Sequence, residues 1–399
     1  MRILLVHDFG VPIGGAEHMT YTLRDGLRKR GHEVRLLASS AASGDLANQA
    51  DEVCFGTEFP LRRVLQVVNP SAIAATRRVV AGFRPDVVHV RSFLSQLSPC
   101  ILPQLRGAIA ILHVVDYQLI CPIHSKRLPD GSRCQHRSGG HCYRTGCISL
   151  AGLARVHVHR RMWDQWHDVF AAVVANSEWT AARLRDDGVH VDRAIWNGVP
   201  ICPNRPRLAD PPTVVFAGRL AAEKGIEVLI QAMRSVVNAL PDARLIVAGD
   251  GPDRARVERA VSACTLEANT TLLGAMSSAQ LNATFANAWV QAVPSEWEEP
   301  FGLVAAEAMM RGTAVVASRT GGLTEIIEDE RTGVLVRPGD TNALAQALIR
   351  LLSDRALCEQ MGERARRFAI AELSDDMCVD RFLGLYDALR AQRAAARAV

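Results

Sequence analysis

The chain has 399 residues, 48% of them hydrophobic and 22% charged, a composition of ordinary globular type and a length that calls for two cores rather than one. The formal net charge is only +4, with no long run of like charges, so charge makes no case for a nucleic-acid partner. No stretch is apolar enough for a transmembrane helix, and the short run at 3–6 gives way at once to a polar loop, so neither a spanning segment nor a secretory leader is expected and the expected location is cytoplasmic.

Short β-branched runs alternate with longer helical patterns, as βαβ units and parallel sheets require. The first strand is predicted at 3–6, then a glycine-bearing loop at 10–15 and a helix over 17–30 that Gly31 ends. Strands follow at 34–38, 87–90, 109–114 and 172–175. Pro200, Pro203, Pro206, Pro211 and Pro212 then crowd one passage, which resists both sheet ladders and helix interiors and marks a domain boundary. Beyond it the alternation restarts, with strands at 214–217, 244–248, 271–273, 290–293, 314–317 and 334–336 and helices at 226–240 and 344–352. A last helix is predicted over 374–393, with an Ala/Arg-rich tail after 388 that frays. The fold class is α/β, two doubly wound domains in tandem.

Two segments carry chemistry. In the first, a buried strand ends at Gly218, with Arg219 and Lys224 just beyond it and Gly225 opening the next helix. Ligands of open parallel sheets bind outside strand carboxyl ends, and two cations there suit a diphosphate; a pair of surface cations at a helix start is the alternative. In the second, Pro300 holds Glu299 extended, Gly302 permits close backbone approach, and a helix is predicted over 303–311. Glu299 lies ahead of that helix and Glu307 about one turn inside it, so both carboxylates can face one crevice. The helix dipole explains Glu299 without a ligand. It explains Glu307 poorly, because Val304, Ala305, Ala306, Ala308 and Met309 surround it and a carboxylate there wants a partner.

Glu299 and Glu307 with Phe301, Gly302 and Leu303 between them resemble the paired-glutamate signature of the family-4 retaining glycosyltransferases of GT-B fold. The stretches around Gly218–Gly225, Gly249–Pro252, Gly321, Gly322 and Glu325, and Gly333–Pro338 resemble the same family, as does the N-terminal run Gly14, Gly15, Ala16, Glu17. The resemblance spans essentially the whole chain and is densest from 214 to 340. It implies two Rossmann-like domains facing a central cleft: an acceptor-side domain at 1–200, a Pro-rich linker at 201–212, a donor-binding domain at 213–373, and a helix at 374–399 that packs on the N-terminal domain. It implies transfer of a hexose-type sugar from a UDP- or GDP-type nucleotide sugar to a hydroxyl acceptor, with anomeric retention. Arg219 and Lys224 would hold the diphosphate and stabilise its growing charge, so no divalent metal and no other cofactor is expected. Glu307 would take the ribose hydroxyls and Glu299 the hydroxyls of the transferred sugar. The amides of Phe301, Gly302 and Leu303 would contact sugar and phosphates, Leu273 and Gly274 the base, and Gly14 and Gly15 would let their loop close over the phosphates.

One departure concerns a histidine that the family often carries before an Asp-Tyr pair. Aligned on Asp116 and Tyr117, that position holds Val115, and His113 is the candidate substitute because residues two apart share a strand face. Cys121, Cys134, Cys142 and Cys147 fall in one polar loop with His124, His136 and His141 near them. Reduced thiols are one reading and a structural zinc the other, the latter without any Cys-x-x-Cys pair. The basic segment through Trp163 and Trp166 reads as a helix packed on its own domain, with membrane contact as the weaker reading. Two other functions compete. A nucleotide-sugar-binding protein without transfer is disfavoured by Arg219, Lys224, Glu299 and Glu307 occurring together. A nicotinamide-dependent oxidoreductase would need Gly-x-Gly-x-x-Gly after the first strand, and residues 10–15 do not fit.

Overall fold

Strands covered on both faces read as near-continuous apolar runs, and runs of that kind build two parallel sheets in this chain. The computed structural model describes residues 1–11, 14–41, 47–58 and 61–398; Pro12 and Ile13 of the predicted 10–15 loop lie outside the described residues. Strands β1 (Arg2–Phe9), β2 (Glu33–Ser39), β3 (Glu52–Cys54), β4 (Val87–Val90), β5 (Ile109–Val114), β6 (Phe170–Ala175) and β7 (Arg193–Ala194) form one sheet in the order β3-β2-β1-β4-β5-β6-β7. Strands β8 (Thr213–Ala217), β9 (Arg244–Ala248), β10 (Thr270–Gly274), β11 (Val290–Val293), β12 (Ala314–Ser318) and β13 (Val334–Val336) form the other, in the order β10-β9-β8-β11-β12-β13. Neighbouring strands pair parallel, so the order reverses beside β1 in one sheet and beside β8 in the other. Crevices for ligands open outside the strand carboxyl ends at such switch points. The strands β3 and β7 were not predicted, since three and two residues show no pattern.

The chain divides into two compact units, Met1–Gly198 with Asp375–Val399, and Val199–Ser374. The proline-rich passage read as a linker is part of the second unit. Its Leu208 is buried in that unit's core with Val214, Leu229, Leu245 and Val290, and the Ala209 carbonyl accepts from the Trp289 indole at 2.8 Å. Proline keeps this stretch out of the ladder, and side-chain burial fixes it all the same.

In the first unit, the helix Asp375–Ala398 lays Val379, Phe382, Leu385 and Tyr386 against Ile3, Leu5, Leu27 and Ile111. Arg30 ties its first turns down through Asp376 at 3.0 Å and Asp380 at 2.8 Å. The tail expected to fray continues the helix to Ala398. Asp375 is less comfortable. One of its carboxyl oxygens is buried and makes no hydrogen bond among the described residues, and burial with the adjacent Asp376 pushes its carboxyl up to about 6. The folded state then binds a proton that the unfolded state gives up, so stability falls as pH rises between the ordinary carboxyl value and about 6. Asp375→Asn is expected to melt with the parent at about pH 4 and above it at about pH 7, in a pH series of thermal melts.

Candidate active site

The second unit gathers its polar groups along the carboxyl ends of β8, β10 and β11. After β8 the chain passes Gly218 and the exposed Arg219 to Lys224 and Gly225. Gly225 has φ of 66°, and a Cβ there would sit 1.9 Å from the Pro294 carbonyl oxygen. Only glycine lets this loop press on the segment that follows β11. The contact brings Lys224 Nζ to 2.7 Å from Glu299 Oε1, and Ser295 Oγ donates to the same oxygen at 2.7 Å. The ammonium also lies 4.9 Å from the Trp297 ring centroid. Glu299 is only 8% exposed. Burial pushes its carboxyl up, but the Lys224 charge and the bonds from Lys224 and Ser295 outweigh burial and hold it below the usual carboxylate value. Glu299 is therefore ionised at neutral pH and held in one orientation. Its backbone is fixed from the other side by Gly321, where a Cβ would meet the Glu299 carbonyl oxygen at 2.2 Å, and by the Gly322 amide, which donates to that oxygen at 2.8 Å.

Gly302 caps the helix Leu303–Arg311 with φ of 100° and supplies no side-chain cap, so the positive end of the helix dipole is left for a ligand. Glu307 lies one turn in. It is half-buried and makes no hydrogen bond among the described residues. Burial raises its carboxyl, opposed by Arg311 one turn further on. Arg311 is itself committed to Asn282 at 3.1 Å and to Gln291. Arg311 and Gln291 gave no sequence signal as site residues, because one reads as a basic helix end and the other as a polar residue in a strand. Leu273, 40% exposed, and Gly274 end β10. The Gly249 amide donates to the Gly274 carbonyl at 2.7 Å and the Gly218 amide to the Ala248 carbonyl at 3.0 Å, which ties the three strand ends into one row. One edge of this unit thus carries Gly218, Arg219, Lys224, Leu273, Gly274, Glu299, Phe301, Gly302, Leu303 and Glu307.

The remaining candidates lie in the first unit. Gly14 and Gly15 open the helix Gly15–Lys29 after β1. His113 is the last residue but one of β5, and its ring is turned into the core. It is 1% exposed, with its ring 4.8 Å from Phe382 and 5.3 Å from His89, and burial keeps the imidazole neutral with neither nitrogen hydrogen-bonded among the described residues. All six residues of the strand Ile109–Val114 are buried, and His113 lies in the core with them. Groups that do reach the carboxyl ends of this sheet are Asp8, Arg91 and Asp116. Asp8 is fully buried and accepts four hydrogen bonds from residues 92–97. Arg91 is 5% exposed, with Nε and Nη2 unbonded among the described residues, and burial pushes it down to about 10. Burial raises the Asp116 carboxyl, with His124 and His7 opposing.

In the cysteine loop Cys121, Cys134 and Cys142 are buried, Cys147 is half-buried, and all four thiols are free. Among the described residues no group of three or more His, Cys, Asp or Glu side chains could hold a metal ion. Nor is any helix among them long and apolar enough to cross a membrane.

Two doubly wound parallel-sheet units, one with cations and carboxylates at its strand ends, define the GT-B class of sugar transferases. The family description "Glycosyl transferase 4-like domain" matches residues 14–198 and "Glycosyl transferases group 1" matches residues 203–368. The glycogen synthase of Mycobacterium tuberculosis is 28% identical over 402 residues, covering 92% of this chain and 90% of that protein. The alpha-D-kanosaminyltransferase of Streptomyces kanamyceticus is 35% identical over 179 residues, covering 45% of this chain and 46% of that protein, so the chain spans about half the length of this relative. Among solved structures, the sucrose-phosphate synthase of Thermosynechococcus elongatus has a TM-score of 0.74 at 25% identity, covering 98% of this chain and 100% of that one. HepE of Anabaena, solved with UDP and glucose, has a TM-score of 0.71 at 19% identity, covering 97% and 100%. The chain belongs to the family-4 glycosyltransferases of GT-B fold, enzymes that draw on nucleotide-sugar donors.

Proposed function

We propose that the protein transfers a hexose-type sugar from a UDP- or GDP-type donor to a hydroxyl acceptor, with retention of anomeric configuration, without a metal, and in the cytoplasm. The observation that carries this reading is the Lys224–Glu299 pair at 2.7 Å, set beside a Glu307 carboxylate that makes no hydrogen bond among the described residues. Arg219 and Lys224 receive the diphosphate, Glu307 accepts from the ribose hydroxyls, and Glu299 accepts from hydroxyls of the sugar. The amides of Phe301, Gly302 and Leu303 face the sugar and phosphates at the helix start, Leu273 and Gly274 border the base, and Gly14 and Gly15 close on the phosphates.

In the transfer itself the bond from the sugar's anomeric carbon to the β-phosphate oxygen breaks, and a bond from that carbon to the acceptor oxygen forms on the same face. The acceptor proton passes to the departing phosphate oxygen, and the nucleoside diphosphate leaves with the bonding electron pair. Lys224 and Arg219 stabilise the charge that grows on the diphosphate. Glu299, held ionised by Lys224, orients the sugar and opposes the oxocarbenium-like charge. His113 takes no part in this scheme, because its ring is enclosed in the core.

A thermal-shift panel of nucleotide sugars tests the donor: one donor stabilises the protein selectively, and Arg219→Ala abolishes the shift. Absence of any shift at saturation removes the transferase reading. Stabilisation without donor hydrolysis or transfer supports the alternative of a nucleotide-sugar-binding protein. Glu307→Gln keeps the size of the side chain but loses the charge-assisted bonds to the ribose. Donor KM is expected to rise by roughly 10-fold with little change in kcat. An unchanged KM would remove Glu307 from the ribose.

A further inference from the structure

Arg311 is a buried charge that the donor scheme leaves unused. It ends the helix Leu303–Arg311, is 5% exposed, and forms no ion pair with a carboxylate among the described residues. An interior guanidinium is costly unless it is held by specific bonds. Its bonds go to neutral groups: one donates to the Asn282 side-chain oxygen at 3.1 Å and another to Gln291 Oε1, while Nε donates to nothing among the described residues. The guanidinium carbon also lies 5.7 Å from the Phe285 ring centroid. Gln291 is itself fixed. It is fully buried in β11, and its Nε2 donates to the Val304 carbonyl at 3.1 Å, in the first turn of the same helix. One strand side chain thus clips both ends of the helix that carries Glu307.

Glu307 precedes Arg311 by four residues, so the two share a helix face at the spacing that favours an ion pair. They do not form one, and the Glu307 oxygens stay without a hydrogen bond among the described residues. Arg311 still acts on Glu307 through its charge. It opposes the burial that raises the Glu307 carboxyl, and Glu307 in turn opposes the burial that disfavours the Arg311 charge. Two other groups face this spot. The Cys202 thiol, from the passage ahead of β8, is pushed up by burial and stays neutral at physiological pH. Arg366, from the helix Arg355–Glu372, is engaged by the Met310 and Cys202 carbonyls. Held by Asn282 and Gln291, the Arg311 guanidinium is near enough to favour the carboxylate and too committed to cover its oxygens. It is remote from the helix start where the diphosphate is proposed to sit, about 12 Å along the axis at the rise of an α-helix.

We propose that Arg311 is a positioning residue for the donor's ribose: it sets a positive charge one turn behind the Glu307 carboxylate, while Asn282 and Gln291 hold it off the carboxylate oxygens and leave them to the ribose hydroxyls. The proposal rests on the transferase reading and deepens it by adding a residue that acts through Glu307. Ribose hydroxyls bond more strongly to a carboxylate than to its neutral acid. Donor affinity therefore falls as pH falls through the Glu307 value, which burial already raises. Without the Arg311 charge that value rises further, and the fall in affinity begins at a higher pH.

Calorimetric titration with UDP and with GDP across pH tests this, using whichever the parent binds more tightly. The ligand's own titration cancels in the ratio of variant to parent. Arg311→Gln, which can still bond Gln291 but carries no charge, is expected to bind about tenfold more weakly than the parent at about pH 6 and within about twofold of it at about pH 9. Arg311→Lys keeps a cation and stays within about threefold at both. In turnover the Arg311→Gln loss falls on donor KM more than on kcat. A ratio that does not change with pH marks a merely structural loss and overturns the proposal, as does an Arg311→Lys variant no better than Arg311→Gln at the lower pH. In a Glu307→Gln background, Arg311→Gln should leave the pH profile unaltered; a pH-dependent ratio there overturns action through Glu307. Glu307→Gln alone, with Arg311 in place, should remove the acid-side loss of affinity, and its persistence overturns the proposal even if Arg311→Gln fails to fold. If the parent binds neither UDP nor GDP, the transferase reading falls first; if it binds one and these ratios fail, the Arg311 inference falls alone.

Discussion

Lys224→Met lowers kcat by about 10³-fold at saturating donor, the scale of losing one preorganised group that faces developing charge. Two consequences arise from one substitution. The departing diphosphate loses a cation, and Glu299, only 8% exposed, loses the partner that keeps it ionised. Burial is the largest influence on that carboxyl and Lys224 the first to oppose it, so without Lys224 its affinity for a proton rises. The pH dependence of stability follows from the sign. In the parent, the depressed value contributes stability that is fully present above the unfolded carboxyl value of about 4.3 and is lost as pH falls through the folded value. The gap in melting temperature between parent and variant is therefore widest near neutral pH and closes in acid. Arg219→Ala should differ in kind, because Arg219 is exposed: its main effect is on donor KM. Steady-state kinetics on both variants, with thermal melts across pH, check the whole argument. A Lys224→Met enzyme within about twofold of the parent in kcat would remove Lys224 from the chemistry.

How far the sequence carried the fold and the site depended on the range of the interactions involved. The β-branched runs that became β1, β4, β5, β8 and β11 are local patterns, and so is the glycine before Leu303 that opens its helix. Lys224 and Glu299 could each be picked out from its own segment. Their direct contact could not, because it depends on a Cβ missing at Gly225 so that the Pro294 carbonyl can approach. His113 shows the opposite failure. Strand alternation offered it as the neighbour of position 115 on one face, yet the strand ends at Val114 and alternation does not say which face is covered. Phe382, from a helix at the other end of the chain, and His89 from β4 decide that. The proline passage was legible as a break in the ladder, but its docking through Leu208 and Ala209 was not. Arg311 and Gln291 were invisible for the same reason: their bond crosses from a helix to a buried strand.

Asp8 was also missed, and its removal carries the largest expected loss of stability. It stands at the end of β1, at the switch point of the first sheet, and is 0% exposed. Its carboxylate accepts from Ser92 Oγ at 2.5 Å and from the amides of Ser95, Gln96 and Leu97 at 2.9, 2.6 and 2.9 Å. One side chain thus anchors the loop that leaves β4. In Asp8→Ala those three amides lose their acceptor in the interior, at a cost of about 3 kcal/mol or more, roughly a 10²-fold shift toward the unfolded state. Asp8→Asn keeps the shape and one accepting oxygen, so it should fall between. Urea unfolding followed by tryptophan fluorescence reads the difference as a lower midpoint with an unchanged slope. A midpoint within error of the parent would mean that water or a shifted loop satisfies the three amides. Because Asp8 belongs to the first unit, stabilisation of the second by nucleotide sugar should survive the substitution, which separates loss of this anchor from damage to the donor site.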